Sequence, residues 1–345
     1  MTGAPSRPYR PYQDVHANPK GPGDARPTGE QIVKDCGLVG ELKGKTILIT
    51  GANSGLGITT AKALHITGAK LLLSARDVIK LDKVIEEIVQ ESPELPTPGA
   101  IELRLDSLQD VQRAAKIVES KTTTLDILIC NAGIMAVPYA LTEDGLESQV
   151  GVNHFAHFLL FQLLRPLMEQ AAANSKTPSR VIGVSSAGHW FGGVRFEDVH
   201  FKRHPMNYNK WQAYGQSKTA NIYMCTSITR HYASQGIIGL SVHPGAIATN
   251  LGRHLTSSDL EDFGAPPELM NAYKSPEQGA ATTVWAVLSS HFDDVSHGGR
   301  YLADCGESGP TKPGAHAADT GYDPHVYDEE KEEKLWKLSL ETLGI

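Results

Sequence analysis

From Lys45 onward, short apolar runs alternate with longer amphipathic stretches. This is the pattern of strand–helix units wound around a parallel sheet, whose buried strands read as near-continuous apolar runs. It predicts strands at Thr46–Thr50, Lys70–Ala75, Ile101–Leu105, Leu125–Cys130, Arg180–Val184, Ile238–Val242 and Arg300–Ala303. Between them it predicts helices at Leu56–Thr67, Val78–Glu91, Leu108–Ser120 and Leu146–Ala172, the last distorted near Pro166. A further helix runs to about Ser234 and another spans Pro276–Ser289. No second core interrupts the alternation. Residues 41–345 are therefore expected to form one α/β domain, a doubly wound parallel sheet of about seven strands with helices on both faces.

The first 40 residues read differently. Residues 1–27 hold six prolines and scattered glycines with few apolar side chains, a composition that predicts a disordered or surface-lying arm. Thr28-Gly29-Glu30-Gln31 then has the form of a capping box opening a short helix near Ile32 to Asp35.

Composition narrows the function classes. A net charge of −7 gives no basic footprint for nucleic acid. The greasiest stretch, Phe155 to Met168, is broken by His157, Gln162, Arg165 and Pro166 and is too short to span a bilayer. No apolar leader opens the chain, and the four cysteines lie far apart with no C-x-x-C spacing, so neither a disulfide framework nor a zinc site is expected. A reducing, cytoplasmic setting fits. The run Asp328–Lys334 mixes charges at helical spacing and predicts a solvated helix face.

The chemistry-bearing features are a glycine turn and a tyrosine–lysine pair. Gly51, Gly55 and Gly57 fall between the first strand and its helix, where backbone N–H groups and the helix dipole can meet a pyrophosphate. A glycine-rich turn without ligand is the alternative. Tyr214 and Lys218 stand four residues apart, on one helix face. A phenol with a reference pKa of about 10 is a poor acid or base at neutrality, and a fixed cation beside it is expected to lower that value.

Together these residues resemble the short-chain dehydrogenase/reductase superfamily over about Leu42 to Leu343. The matching motifs are Thr50–Gly57, Asn131-Ala132-Gly133, Val184-Ser185-Ser186, Tyr214–Lys218 and Pro244-Gly245. Val152–Leu160 and Leu335–Ser339 resemble the retinol-dehydrogenase and WW-domain-oxidoreductase branch. The resemblance implies a Rossmann-type fold and a catalytic tetrad of Asn153, Ser186, Tyr214 and Lys218. Tyr214 would donate a proton to the developing alkoxide, and Ser186 would hydrogen-bond the same oxygen. Lys218 would also hold the nicotinamide ribose, and Asn153 would position a water linking Lys218 to solvent. Ser185 is the rival for the serine role, because neighbouring residues leaving a strand face opposite ways.

The cofactor set implied is Gly51, Asn53, Ser54, Gly55, Leu56, Gly57, Asn131, Ala132, Gly133, Tyr214, Lys218, Pro244, Gly245, Ile247 and Thr249, with Asp106 and Ser107 at the adenine edge. Asp106 and Ser107 read equally as a helix cap. Arg76 takes the first exposed place after the second strand and Asp77 the next, which favours a 2′-phosphate clamp and NADP(H), with Asp77 capping the following helix. His154 and His157 share a helix face with no acidic or sulfur ligand nearby, so packing is expected and no metal. His200 and His204 sit in an expected solvated segment. The aromatic-rich stretch 189–212 and the segment 252–274 are the expected substrate loops, with Trp190, Met206 and Tyr208 as pocket candidates. The expected activity is NADPH-dependent reduction of a carbonyl on a hydrophobic small molecule, reversible to alcohol oxidation, by a possible homodimer. Reduction of a C=N or C=C bond in secondary metabolism, or a non-catalytic NADP-binding regulator, are the rival readings.

Overall fold

The computed structural model describes residues 8–203, 205–253, 255, 259, 267–311 and 320–345. Its sheet has eight strands: β1 Thr46–Thr50, β2 Lys70–Ala75, β3 Gly99–Glu102, β4 Ile127–Cys130, β5 Ser179–Val184, β6 Ile237–His243, β7 Tyr301–Ala303 and β8 Gly306–Glu307. They lie in the order β3-β2-β1-β4-β5-β6-β7-β8, and all pairings are parallel except β7 with β8. The chain order reverses between β1 and β4. Such a switch point, beyond the carboxyl ends of the strands, is where doubly wound sheets form the crevice that takes their ligands.

Two helical layers cover the sheet. On one face, α2 Gly29–Asp35, α3 Leu56–His65, α4 Val78–Glu91 and α10 Pro276–Leu288 bury Ile32, Leu64, Leu81 and Trp285 against Ile47, Leu73 and Leu240. On the other, α5 Leu108–Lys121, α7 Ala156–Ala173, α8 Lys210–Tyr232 and α11 Glu329–Leu343 pack Val111, Phe158, Met224 and Trp336 against Leu48, Leu128 and Val181. The short α1 Gln13–His16, α6 Ser148–Val150 and α9 Pro267–Ala272 complete the set named here.

Four departures from the sequence pattern have physical reasons. Strand β3 starts two residues early and ends at Glu102, because the amide of Arg104 is taken by the Asp110 carboxylate at 2.7 Å and the chain leaves the ladder. The long helix runs on through Pro166, which α7 carries in its interior. The irregularity is instead a π-helical turn at Gly151–Phe155. Strand β8, two residues long, is too short to show as a period. Finally, Glu332 on the charged C-terminal helix is buried and paired with Arg230 at 2.7 Å, so that face is only partly solvated.

The arm from Pro8 lies along the β8 edge. The amide of Glu307 donates to the Tyr9 carbonyl at 2.8 Å, and the Tyr9 ring stacks on His291 at 4.4 Å. Arg26 is buried. Its guanidinium donates to the carbonyls of Gly21, Ala272 and Tyr273 and to Asp24. Thr28 caps α2 through the amide of Gln31, at 3.2 Å.

Trp336 fastens the C-terminal helix by ring contacts with Phe158 at 4.8 Å and His231 at 4.6 Å. Trp336→Ala is expected to cost about 3–5 kcal/mol of stability in a chemical denaturation series.

Candidate active site

The glycine turn is closed by hydrogen bonds that leave its open side bare. Thr50 Oγ1 accepts from the amides of Asn131 and Ala132, each at 3.0 Å. Asn131 Nδ2 returns a bond to the Thr50 carbonyl at 2.8 Å. A Cβ on Gly57 would fall 2.1 Å from the Gly51 carbonyl oxygen, and one on Gly51, at φ +67°, would strike Ala132 at 2.9 Å. The approach of β1 to β4 therefore requires glycine at both. No side chain caps the N-terminus of α3, and while the amides of Gly57 and Ile58 donate to the Ser54 and Gly55 carbonyls, that of Leu56 can meet an anion. Asn53 Nδ2 reaches the Asp77 carbonyl at 3.4 Å. Thr249 packs close enough to Gly55 that an added Cβ would be 3.5 Å away, and Ile247 and Leu56 meet over Gly279.

At the end of β2, Asp77 caps α4 by accepting from the Lys80 amide at 3.1 Å. Arg76 is exposed and makes no hydrogen bond or ion pair with the described residues. Asp106 pairs loosely with Arg104 at 3.4 Å. Ser107 holds the N-cap place of α5, yet its hydroxyl makes no cap bond. The structure thus gives Asp77 a capping task and leaves the Arg76 guanidinium free to meet a ligand.

Helix α8 carries Tyr214 and Lys218 into the crevice wall, and both are buried. Ser186 and Ser185 diverge as the pleat demands. Ser185 Oγ points inward to the Lys218 carbonyl at 2.9 Å, whereas Ser186 Oγ accepts from the Gly188 amide at 3.0 Å on the side of Tyr214. Gly188 lies against the tyrosine ring, where a Cβ would be 2.5 Å from Tyr214 Cε1. Lys218 Nζ donates to the Val184 carbonyl at 3.0 Å and sits 5.6 Å from the Tyr214 ring centre.

The electrostatics correct one expectation. Burial pushes the Tyr214 phenol up to about 12, the Ser186 hydroxyl pulling the other way, so burial outweighs any lowering by the neighbouring cation. The ammonium is turned to the Val184 carbonyl. Burial in turn lowers Lys218 to about 8.

Asn153 sits in the π-helical turn. Its carboxamide accepts from the Ile134 amide at 2.9 Å and donates to the Ile134 carbonyl and to Ser217 Oγ. A Cβ at Gly133 would be 3.1 Å from Asn153 Oδ1 and 3.6 Å from Lys218 Nζ, so the three residues meet. Sequence reasoning gave His157 only a packing role. Its Nδ1 lies 3.0 Å from the Asn153 carbonyl and its Nε2 2.9 Å from Thr50 Oγ1. A carbonyl only accepts, so Nδ1 carries the hydrogen and Nε2 accepts from Thr50. Burial lowers His157 to about 4, which keeps the ring neutral. The ring joins the Asn153 turn to the glycine turn.

The substrate candidates disperse. Met206 is 98% exposed. The Tyr208 hydroxyl is occupied by Gln149, Glu147 and the Val137 carbonyl, so this residue pins its loop down. The Trp190 indole donates to the Gly321 carbonyl at 3.2 Å. His200 is half-buried, not solvated, and accepts from the Glu147 amide at 3.2 Å. His204 and, in the segment 252–274, residues 254, 256–258 and 260–266 lie outside the described residues. A cavity of about 810 Å³ opens at the opposite end of the strands, under the arm, but Lys45–Asp126 and Arg180–Asp293 pair the charges around it. No cluster of potential metal ligands occurs among the described residues.

The short chain dehydrogenase family pattern matches residues 45–195. The chain is 43% identical over 340 residues to the short-chain dehydrogenase/reductase prx1 of Penicillium roqueforti, covering 97% of this chain and 95% of that protein. The chain belongs to the short-chain dehydrogenase/reductase family. Human retinol dehydrogenase 14 is 35% identical over 327 residues, covering 91% of both chains, and places the protein in the retinol-dehydrogenase-like branch. Among solved structures, a putative uncharacterized protein from Mycobacterium paratuberculosis superposes with a TM-score of 0.66 at 30% identity, covering 90% of this chain and 97% of its own. Family membership makes the protein an oxidoreductase with a nicotinamide dinucleotide site. The bare glycine cradle, the uncapped α3 terminus and the buried Lys218 fit such a cofactor.

Ser186→Ala is expected to lower kcat by about 10²–10³, the loss typical of one donor to a developing oxyanion. Ser185→Ala, which touches only the Lys218 carbonyl, should cost far less; steady-state kinetics of the two variants checks the assignment.

Proposed function

We propose that the protein is an NADPH-dependent reductase of a carbonyl group on a hydrophobic small molecule, able to run in reverse as an alcohol dehydrogenase. The supporting observation is the meeting of Ser186 Oγ and the Tyr214 ring at Gly188, beside a buried Lys218. When bound, the reduced nicotinamide supplies the hydride. Tyr214, with its pKa near 12, stays protonated through neutrality and holds the proton that an alkoxide would take. Ser186 steadies the phenol and offers its hydroxyl to the same oxygen. Lys218, charged below about pH 8, presents an ammonium to the ribose side of the crevice. Asn153 holds Ile134 and Ser217 in place around that ammonium, which supports a positioning role.

The preference for NADPH over NADH rests on Arg76, exposed at the end of β2, with Asp77 committed to capping α4. No helix among the described residues is long and apolar enough to cross a membrane, and a cytoplasmic setting is part of the proposal. Tyr214→Phe should keep NADPH affinity within a few-fold while turnover falls by about 10²–10⁴. Survival of turnover would overturn the mechanism. Arg76→Ala should raise the KM for NADPH about tenfold or more and leave that for NADH nearly unchanged.

The pH profile has a defined sign. Burial lowers Lys218, so its ammonium is present below about pH 8 and lost above it. The kcat/KM for reduction, which reports the free enzyme, should be flat through neutrality and fall above about pH 8, with no limb from Tyr214 until far higher pH.

A further inference from the structure

The β7–β8 turn breaks a rule of hairpin chemistry. Ala303 pairs with Gly306, so Asp304 and Cys305 are the two central residues, and both are left-handed at φ +52° and +53°. Two-residue turns of this kind normally carry Asn-Gly or Asp-Gly, since a side chain in the left-handed region is strained by about 1–2 kcal/mol. Such strain persists only where the surroundings over-determine it. Here they do. The Cys305 amide donates to Thr282 Oγ1 at 3.2 Å, and a Cβ on Gly306 would meet Arg10 of the arm at 3.1 Å.

The strained turn delivers the Asp304 carboxylate to Lys274, at 2.7 Å from its Nζ. The Lys274 side chain is only 4% exposed, and its ammonium also donates to the Pro244 carbonyl at 3.3 Å. Its stem lies flat on Gly245, where a Cβ would come within 3.0 Å of Lys274 Cδ and Cε. Gly245 is itself at φ +101°. The Lys274 amide donates to the Ala246 carbonyl at 2.9 Å, and Ile247 and Lys274 form an isolated parallel bridge. One lysine thus fixes three consecutive backbone units of the turn that leads to Thr249 beside Gly55. The arm braces the same point: Arg26 binds the carbonyls of Ala272 and Tyr273, and His16 Nε2 lies 3.7 Å from Asp304.

We propose that Lys274, clamped by Asp304, is a positioning residue that holds the Pro244–Thr249 turn at the height the nicotinamide requires. The inference deepens the reductase reading and rests on it for the identity of the ligand. A reacting ring displaced by about 1 Å can cost about 100-fold in rate, so loosening this turn should appear in kcat more than in affinity.

The test uses the full chain and two substitutions. Lys274→Met keeps the stem over Gly245 and removes the ammonium. Asp304→Asn keeps an acceptor and suits the left-handed backbone better than aspartate, so a purely structural role predicts an unchanged or raised Tm. Amide hydrogen exchange of residues 245–249 is measured without ligand, then NADPH binding by its fluorescence, then turnover of a carbonyl panel. The proposal expects exchange at least about tenfold faster in Lys274→Met, kcat lowered about 10–100-fold in both variants, NADPH Kd changed by no more than about threefold, and no added loss in the double variant. Unchanged exchange together with unchanged kcat overturns it. Faster exchange in a protein that neither binds nor oxidises NADPH would uphold the clamp while sinking the reductase reading.

Discussion

An ammonium taken out of water needs oxygen partners, and Lys218 finds a protein carbonyl, that of Val184 at the end of β5. The penalty of burying a charge this way is several kcal/mol unless further partners arrive. The rest of the crevice is arranged around that group. Gly133 brings the β4 end past it without a side chain, Asn153 closes the neighbouring backbone, and Ser185 braces the helix from beneath through the Lys218 carbonyl. A cofactor with ribose hydroxyls is the kind of molecule that would complete such a shell, and the family supplies one.

The tyrosine solves the opposite problem. Burial favours the neutral form of a phenol and the neutral form of an amine alike, so one pocket raises Tyr214 and lowers Lys218. Burial is the leading cause of both shifts. The pair reads as an acid kept protonated and a cation kept close to losing its proton, four residues apart, with Ser186 as the hydroxyl that links phenol to substrate space. The glycine at position 188 matters because it allows the serine loop to lie on the tyrosine ring.

Much of this was written in the chain. Strands β1 and β2 have the bounds that their apolar runs predict, and β5 and β6 extend theirs by a residue at one or both ends, because a doubly covered parallel strand leaves an uninterrupted hydrophobic mark. The Tyr214–Lys218 spacing was equally plain, since i,i+4 on a helix means one face. What stayed hidden was contact chemistry. Alternation says that Ser185 and Ser186 part company but not which one meets the phenol. The arm read as either disordered or surface-lying, and what holds it down stayed hidden, because Arg26 is satisfied by backbone carbonyls, and carbonyls have no letter in a sequence. The π-helical turn left no trace either, as the apolar positions on both sides of it keep helical spacing.

That turn has a consequence for what the helix can tolerate. A π turn holds one residue more than the ladder around it would need, so the side chains before and after are out of phase by about 100°. Losing a single residue between Gly151 and Phe155 would let the segment relax into ordinary helix. Phe158, Leu160 and Leu164 could keep their places in the core, and His157 with them, while the Asn153 amide group would swing away from Ile134 and Ser217. Length at this one point, more than the identity of any neighbour, is what the crevice cannot give up.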